Sequence, residues 1–98
     1  MPSSAEYLEF ILDQLNGVGE LSHRKMMGEY ILYYKGKVIG GIYDNRLLLK
    51  DVPPVRLLMP DCRLELPYEG GKPMIAVDDV DDAEKLRSIV EAAYDGIS

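Results

Sequence analysis

The chain has a single histidine, His23, and a single cysteine, Cys62, so one Cys–His nucleophile pair is arithmetically available. Nucleophilic catalysis also needs a group that orients the base, and nothing in the sequence is spaced to supply one. A lone cysteine is ordinarily a small buried hydrophobe, and a lone histidine beside Arg24 and Lys25 is ordinarily a solvated loop residue. The expectation is no catalytic residue and no enzyme. One cysteine also excludes a disulfide or a cysteine-based metal cluster within the chain. Asp78, Asp79, Asp81 and Asp82 could suggest calcium, but the loop pattern with its fixed glycine and closing glutamate is missing. They read as a helix start, where carboxylates favour the positive end of the helix dipole. No metal and no cofactor is expected. Gly28, Gly40, Gly41, Gly70 and Gly71 match no phosphate-binding loop and read as turn and packing glycines. Arg24 and Lys25 are either a basic contact point or solvated charges at the entrance of a strand, and the solvated reading is favoured.

Composition sets the frame for these groups. With 98 residues and 47% hydrophobic content, the expectation is one domain spanning residues 1–98 with a single core. No apolar run approaches the roughly 20 residues that span a bilayer, and the first residues lack a basic region followed by a hydrophobic stretch. A cytoplasmic protein with no membrane partner is expected. Eleven basic against seventeen acidic residues give a net charge of -6, which repels phosphate backbones unless the basic groups gather on one face.

The elements follow from periodicity and turn chemistry. Ser3 or Ser4 can cap a first helix, with Ser3 and Glu6 at capping-box spacing. Leu8, Ile11, Leu12 and Leu15 recur at helical spacing until Gly17 and Gly19 stop it. Met26 to Tyr34 is rich in strand formers, Lys35-Gly36 makes a tight turn, Lys37 to Tyr43 a second strand, Asp44-Asn45 a second turn, and Arg46 to Lys50 a third strand. Asp51 to Pro60 predicts a short helix with proline in its first turn. Arg63 to Tyr68 and Lys72 to Val77 predict a second hairpin around Gly70-Gly71, with Pro67 at an edge or strand end. Asp81 and Glu84 then cap a last helix whose stripe is Leu86, Ile89, Val90 and Ala93. The predicted class is α+β, in the order α-β-β-β-α-β-β-α with an antiparallel sheet.

The two turns imply a register. Tyr34 faces Lys37, Leu32 faces Ile39, Tyr30 faces Gly41 and Gly28 faces Tyr43; Tyr43 faces Arg46, which puts Leu48 beside Gly41. One face then carries Met27, Glu29, Ile31, Tyr33, Val38, Gly40, Ile42, Leu47 and Leu49 and is expected to be the core. Gly40 would there let a helix approach the sheet closely. The other face carries Met26, Gly28, Tyr30, Leu32, Tyr34, Lys37, Ile39, Gly41, Tyr43, Arg46, Leu48 and Lys50. It is too apolar for an idle surface and too basic for a core.

Arg24-Lys25-Met26-Met27-Gly28-Glu29-Tyr30, followed by Leu32-Tyr33-Tyr34, Gly36-Lys37, Arg46-Leu47-Leu48-Leu49-Lys50 and Gly71-Lys72-Pro73-Met74, resembles the N-terminal domain of the TfoX (Sxy) family. The resemblance covers almost the whole chain. Met27 stands where many members carry Phe, and Glu29 where many carry Gly. The resemblance implies a two-layer arrangement similar to type III secretion chaperones. It also implies a bacterial, non-enzymatic regulatory role, the best-known members being competence regulators that work with a transcription activator.

Tyr30, Leu32, Tyr34, Ile39, Tyr43 and Leu48 gather on the second face of this paper sheet, and such patches on soluble domains mark interaction surfaces. The first functional expectation is an adaptor or regulatory domain that binds a second copy or a partner protein there. The alternative is a nucleic-acid platform in which the same tyrosines stack on bases while Lys37, Arg46 and Lys50 hold phosphates.

Overall fold

The computed structural model describes residues 4–97. Its elements are α1 (Ala5–Gln14), β1 (Leu21–Met26), β2 (Glu29–Tyr34), β3 (Lys37–Tyr43), β4 (Arg46–Leu49), α2 (Pro53–Leu58), β5 (Leu64–Glu65), β6 (Met74–Val77) and α3 (Ala83–Gly96). The strands form one antiparallel sheet in the order β1-β2-β3-β4-β6-β5. The class is α+β, as expected, with one strand more before α2 than the sequence pattern indicated.

The extra strand comes from a turn at Met27-Gly28. Met27 (φ 51°) and Gly28 (φ 84°) both lie in the left-handed region, as do Lys35 (51°) with Gly36 (82°) and Asp44 (53°) with Asn45 (55°). Two consecutive positive φ values are what a tight two-residue hairpin needs to match the strand twist. All three hairpins from β1 to β4 therefore close in the same way. Ser22, His23, Arg24 and Lys25, expected as a polar entry to the first strand, lie inside β1 and pair with β2.

The register between β2 and β3 holds at Tyr34↔Lys37 and Tyr33↔Val38, then slips by one residue at a bulge. Leu32 pairs with Gly40, Ile31 with Gly41 and Tyr30 with Ile42, leaving Ile39 as the extra residue. Between β3 and β4 the pairs Tyr43↔Arg46, Gly41↔Leu48 and Gly40↔Leu49 are as expected. Because side chains alternate with period two, that one-residue slip exchanges the faces of β2 and of Lys37, Val38 and Ile39 while leaving the rest of β3 and β4 in place. The core face consequently joins Tyr30, Leu32 and Tyr34 to Ile42, Leu47 and Leu49, with Ile75 and Val77 of β6.

The helices cover that face. Leu8, Ile11 and Leu15 of α1 and its cap, Val55 of α2, and Leu86, Ile89, Val90 and Ala93 of α3 are buried in the same cluster. Ser4 caps α1 by accepting the Tyr7 N–H at 3.1 Å; Ser3 lies outside the described residues. Pro53 and Pro54 open α2 where their missing N–H groups are not needed. Asp82, one residue later than expected, caps α3 by accepting from Lys85 N at 3.1 Å. Gly40 serves the bulge, not a helix: a Cβ there would meet Leu48 O at 2.2 Å and Leu49 Cα at 2.7 Å.

A candidate interaction face on the open side of the sheet

The residues expected to form an exposed tyrosine-rich surface do not do so. Tyr30, Leu32, Tyr34 and Ile39 are buried beneath the helices. The Tyr34 hydroxyl has one proton and faces two acceptors, the Val18 carbonyl at 2.9 Å and the Glu91 carboxylate. The Glu91 contact and burial push its pKa up to about 12. Tyr43 and Leu48 lie on the other face, where Leu48 is fully buried and Tyr43 half-buried. The slip at Leu32/Tyr33 is the reason, since it turned the β2 tyrosines inward.

The basic trio of the nucleic-acid alternative is likewise divided. Lys37 donates to the Ile97 carbonyl at 3.0 Å and lies over the Tyr94 ring, charge at the end of α3 that suits the helix dipole. Arg46 lies on the opposite face, where it pairs with Glu65 and donates to the Tyr43 carbonyl. Lys50 is exposed at the end of β4. His23 and Cys62 belong to opposite ends of the sheet order: His23 sits on β1 with its ring edge-on to Tyr30, and Cys62 packs against the core just before β5. The acidic run is committed to local partners, Asp78 to Arg63, Asp79 to Lys85 and Asp82 to the α3 N-terminus.

The face away from the helices is covered only in part. The chain between β5 and β6 folds back over it, burying Pro67 and laying Tyr68 against Tyr43 with ring centroids 6.4 Å apart. Gly41 makes room for that stack, because a Cβ there would meet the Tyr43 ring at 2.7 Å and the Tyr30 carbonyl at 2.6 Å. Burial, with Tyr68 and Glu29 nearby, raises the pKa of Tyr43. The loop is tied down at its start: Glu65 of β5 receives both Arg46 and Arg63, which hold its carboxyl below the usual range.

This loop leaves a concavity on each side. The first, of about 520 Å³, lies between the β1–β2 turn and the loop, with Met26, Met27, Ile31, Tyr43, Pro67 and Tyr68 in its wall. Met27 is 97% exposed and Tyr68 64%. Glu29 completes the wall and accepts the Asp44 N–H at 3.2 Å. The second, of about 660 Å³, lies toward β4 and β6.

A family model described as the TfoX N-terminal domain matches residues 13–97. The chain belongs to this family. An uncharacterized 12.7 kDa protein in the trpE 5′ region of Spirochaeta aurantia is 33% identical over 91 residues, 92% of this chain and 79% of that protein. No solved structure matches the chain. Membership in the TfoX N-terminal family supports a regulatory, competence-associated type of domain in general. Among the described residues no helix is long and apolar enough to cross a membrane.

The stretches that carry the TfoX resemblance divide between the two faces. Arg24 and Met26 of β1 lie on the open side, Gly28 closes the turn, and Gly71, Lys72, Pro73 and Met74 frame the second concavity, while Lys25 lies across from Tyr30 on the helix side, and Tyr30, Leu32, Tyr34, Leu47 and Leu49 are in the core. Sequence reasoning placed Met27 in the core and gave Pro67 and Tyr68 no functional role. The available signal was Tyr68 two residues before Gly70-Gly71, an aromatic at the head of a loop.

Proposed function

We propose that this TfoX N-terminal domain regulates by binding a partner protein along β1 and the adjoining apolar concavity, the partner presenting an extended acidic segment with an apolar side chain. The observation that carries this is Met27. It is a large apolar residue in a left-handed turn conformation, which costs roughly 1 kcal/mol for a residue with a Cβ, and almost all of its surface meets solvent. Neither property helps folding. Exposed, strained apolar residues beside a concavity are what a docking site requires.

Charge decides the kind of partner. Among the described residues β1 pairs only with β2, so its outer edge offers itself to another strand. Arg24 and Lys25 lie along it, exposed, in a chain of net charge -6. Two copies of β1 placed side by side would set these cations against each other, which disfavours self-pairing. An acidic strand meets them favourably, and its apolar side chain reaches the pocket beside Met26 and Tyr68.

Panning a random-peptide library against the folded domain tests this. The expected winners combine acidic residues with one large apolar residue, bind more weakly as salt rises, and lose binding to a Met27→Asp variant. Winners that bind the variant equally well, or a wild-type domain that dimerises through β1 in sedimentation, would overturn it.

A further inference from the structure

The second concavity has a different chemistry from the first. Its wall includes Tyr43, Lys50, Tyr68, Gly70, Gly71 and Lys72, and its volume of about 660 Å³ is that of a small-molecule site. Most basic side chains of the chain are engaged: Arg46 with Glu65, Arg56 with Asp51, Arg63 with Asp78, Lys85 with Asp79, Lys37 with Ile97 O, Arg87 with Asn16 O, and Lys35 over Tyr34 and Tyr94. The side chains of Lys50 and Lys72 make no ion pair or hydrogen bond to the described residues, and both residues border this one concavity. The single carboxylate in its wall, Asp51, accepts from Arg56 at 2.6 and 2.8 Å, and that guanidinium holds its carboxyl below the usual range. The site is therefore locally cationic on an anionic protein.

The rest of the wall suits a flat ring. Tyr43 and Tyr68 meet at a tilt of 55°, and the stack is fixed from behind by Gly41 and from the loop side by Gly71, where a Cβ would meet the Tyr68 ring and Pro67 at 3.1 Å. Gly70, with φ +84° and open space where its Cβ would be, leaves the rim accessible to a ligand. Lysine ammonium groups favour phosphate as point charges, and aromatic faces accept any nucleobase.

We infer that this concavity binds a phosphate-bearing planar base, with Lys50 and Lys72 holding the phosphate and the Tyr43–Tyr68 pair the ring. The site shares Tyr43 and Tyr68 with the wall of the first concavity but takes its charge from Lys50 and Lys72, which border only the second, and it does not depend on a protein partner. Its phosphate-bearing base has two sources, a free nucleotide or a single-stranded nucleic acid. Lys37 and Arg46, committed elsewhere, have no part in it.

Titrations followed by amide chemical shifts and by tyrosine fluorescence test the assignment. The probes are adenosine 5′-monophosphate, adenosine, inorganic phosphate and a short single-stranded oligothymidylate. Adenosine monophosphate should shift the Lys50, Gly70, Gly71 and Lys72 amides, and adenosine should bind about tenfold or more weakly for want of its phosphate contacts. Lys50→Glu with Lys72→Glu should abolish those shifts while leaving the far-ultraviolet circular dichroism and melting curve intact, and Tyr68→Leu should weaken binding with the phosphate contacts still present. Tighter binding of oligothymidylate than of the mononucleotide identifies a nucleic acid as the source, and the reverse identifies a free nucleotide. The inference is overturned if no probe shifts these amides at millimolar concentration, if the doubly charge-reversed variant binds as well, or if adenosine binds as tightly as its monophosphate.

Discussion

Met27 separates what folding needs from what the surface offers. A hairpin turn with two positive φ values favours Asn-Gly or Asp-Gly, because a short polar side chain tolerates the left-handed conformation and a long apolar one gains nothing from it. Met27→Asn should therefore raise stability by roughly 0.5 kcal/mol in urea unfolding. It should also abolish capture of the acidic peptides described above, so stability and binding would move in opposite directions. Gly41 shows the reverse dependence. Alanine there would drive its Cβ into the Tyr30 carbonyl, which is backbone and cannot yield, and into the Tyr43 ring. Gly41→Ala should cost about 3 kcal/mol, measured by thermal or urea unfolding, while Gly36→Ala, whose Cβ meets nothing within 4 Å, is strained only by its positive φ of +82° and should cost about 1 kcal/mol.

Among the elements, α2 and the end of α3 are locked by a glycine. A Cβ at Gly96 would lie 2.6 Å from Val52 Cβ and 3.0 Å from Pro54 Cδ, so the bare backbone lets the end of α3 meet the start of α2. Alanine is the better helix former by about 1 kcal/mol, but overpacking costs about 1–3 kcal/mol. Gly96→Ala should thus lower the melting temperature, and pairing it with Val52→Ala should recover little of the loss, because alanine keeps the Val52 Cβ that the new methyl meets at 2.6 Å. The helices were legible in the sequence because an apolar stripe at helical spacing, proline at the start of α2 and carboxylates before α3 all point one way. Two of the three hairpins were legible for a similar reason, since Lys35-Gly36 and Asp44-Asn45 interrupt apolar runs with turn residues. The third was hidden because Met27 is a strand former set among other strand formers, leaving Gly28 as the only mark of a turn. The bulge left no mark at all. It sits among Ile39, Gly40 and Gly41, where shifting the pairing by one residue exchanges one apolar partner for another. That single slip moved the tyrosines from the expected surface into the core, and with them the expected site. The open face could be found only once the covered one was known.

At the scale of the whole molecule, ion pairs and tyrosine burial set the pH range over which the two layers stay together. Arg56 lowers the pKa of Asp51, and Arg46 and Arg63 lower that of Glu65. A carboxylate with a depressed folded-state pKa contributes stability above its unfolded value, near 4, and loses it as pH falls through the folded value. These pairs are exposed or half-exposed, so their loss should shave the acid side gently. The alkaline side depends on Tyr34, which ties β2 to α3 through Glu91 and to the loop between α1 and β1 through Val18. Its folded-state pKa of about 12 exceeds the ordinary value of 10.0. The unfolded chain therefore loses this proton first, and the stabilisation, complete below pH 10.0, drains away as pH rises toward about 12. Tyr7 and Tyr43, raised chiefly by burial, act in the same direction. Urea unfolding from neutral pH to pH 11.5 should show stability falling through that window. Tyr34→Phe should be less stable than wild type by about 1–2 kcal/mol at pH 7, because it leaves the Val18 and Glu91 acceptors without their donor, and its alkaline decline should be shallower. If the variant declined as steeply as wild type above pH 10, the tether between sheet and helix layer would not be the tyrosine proton.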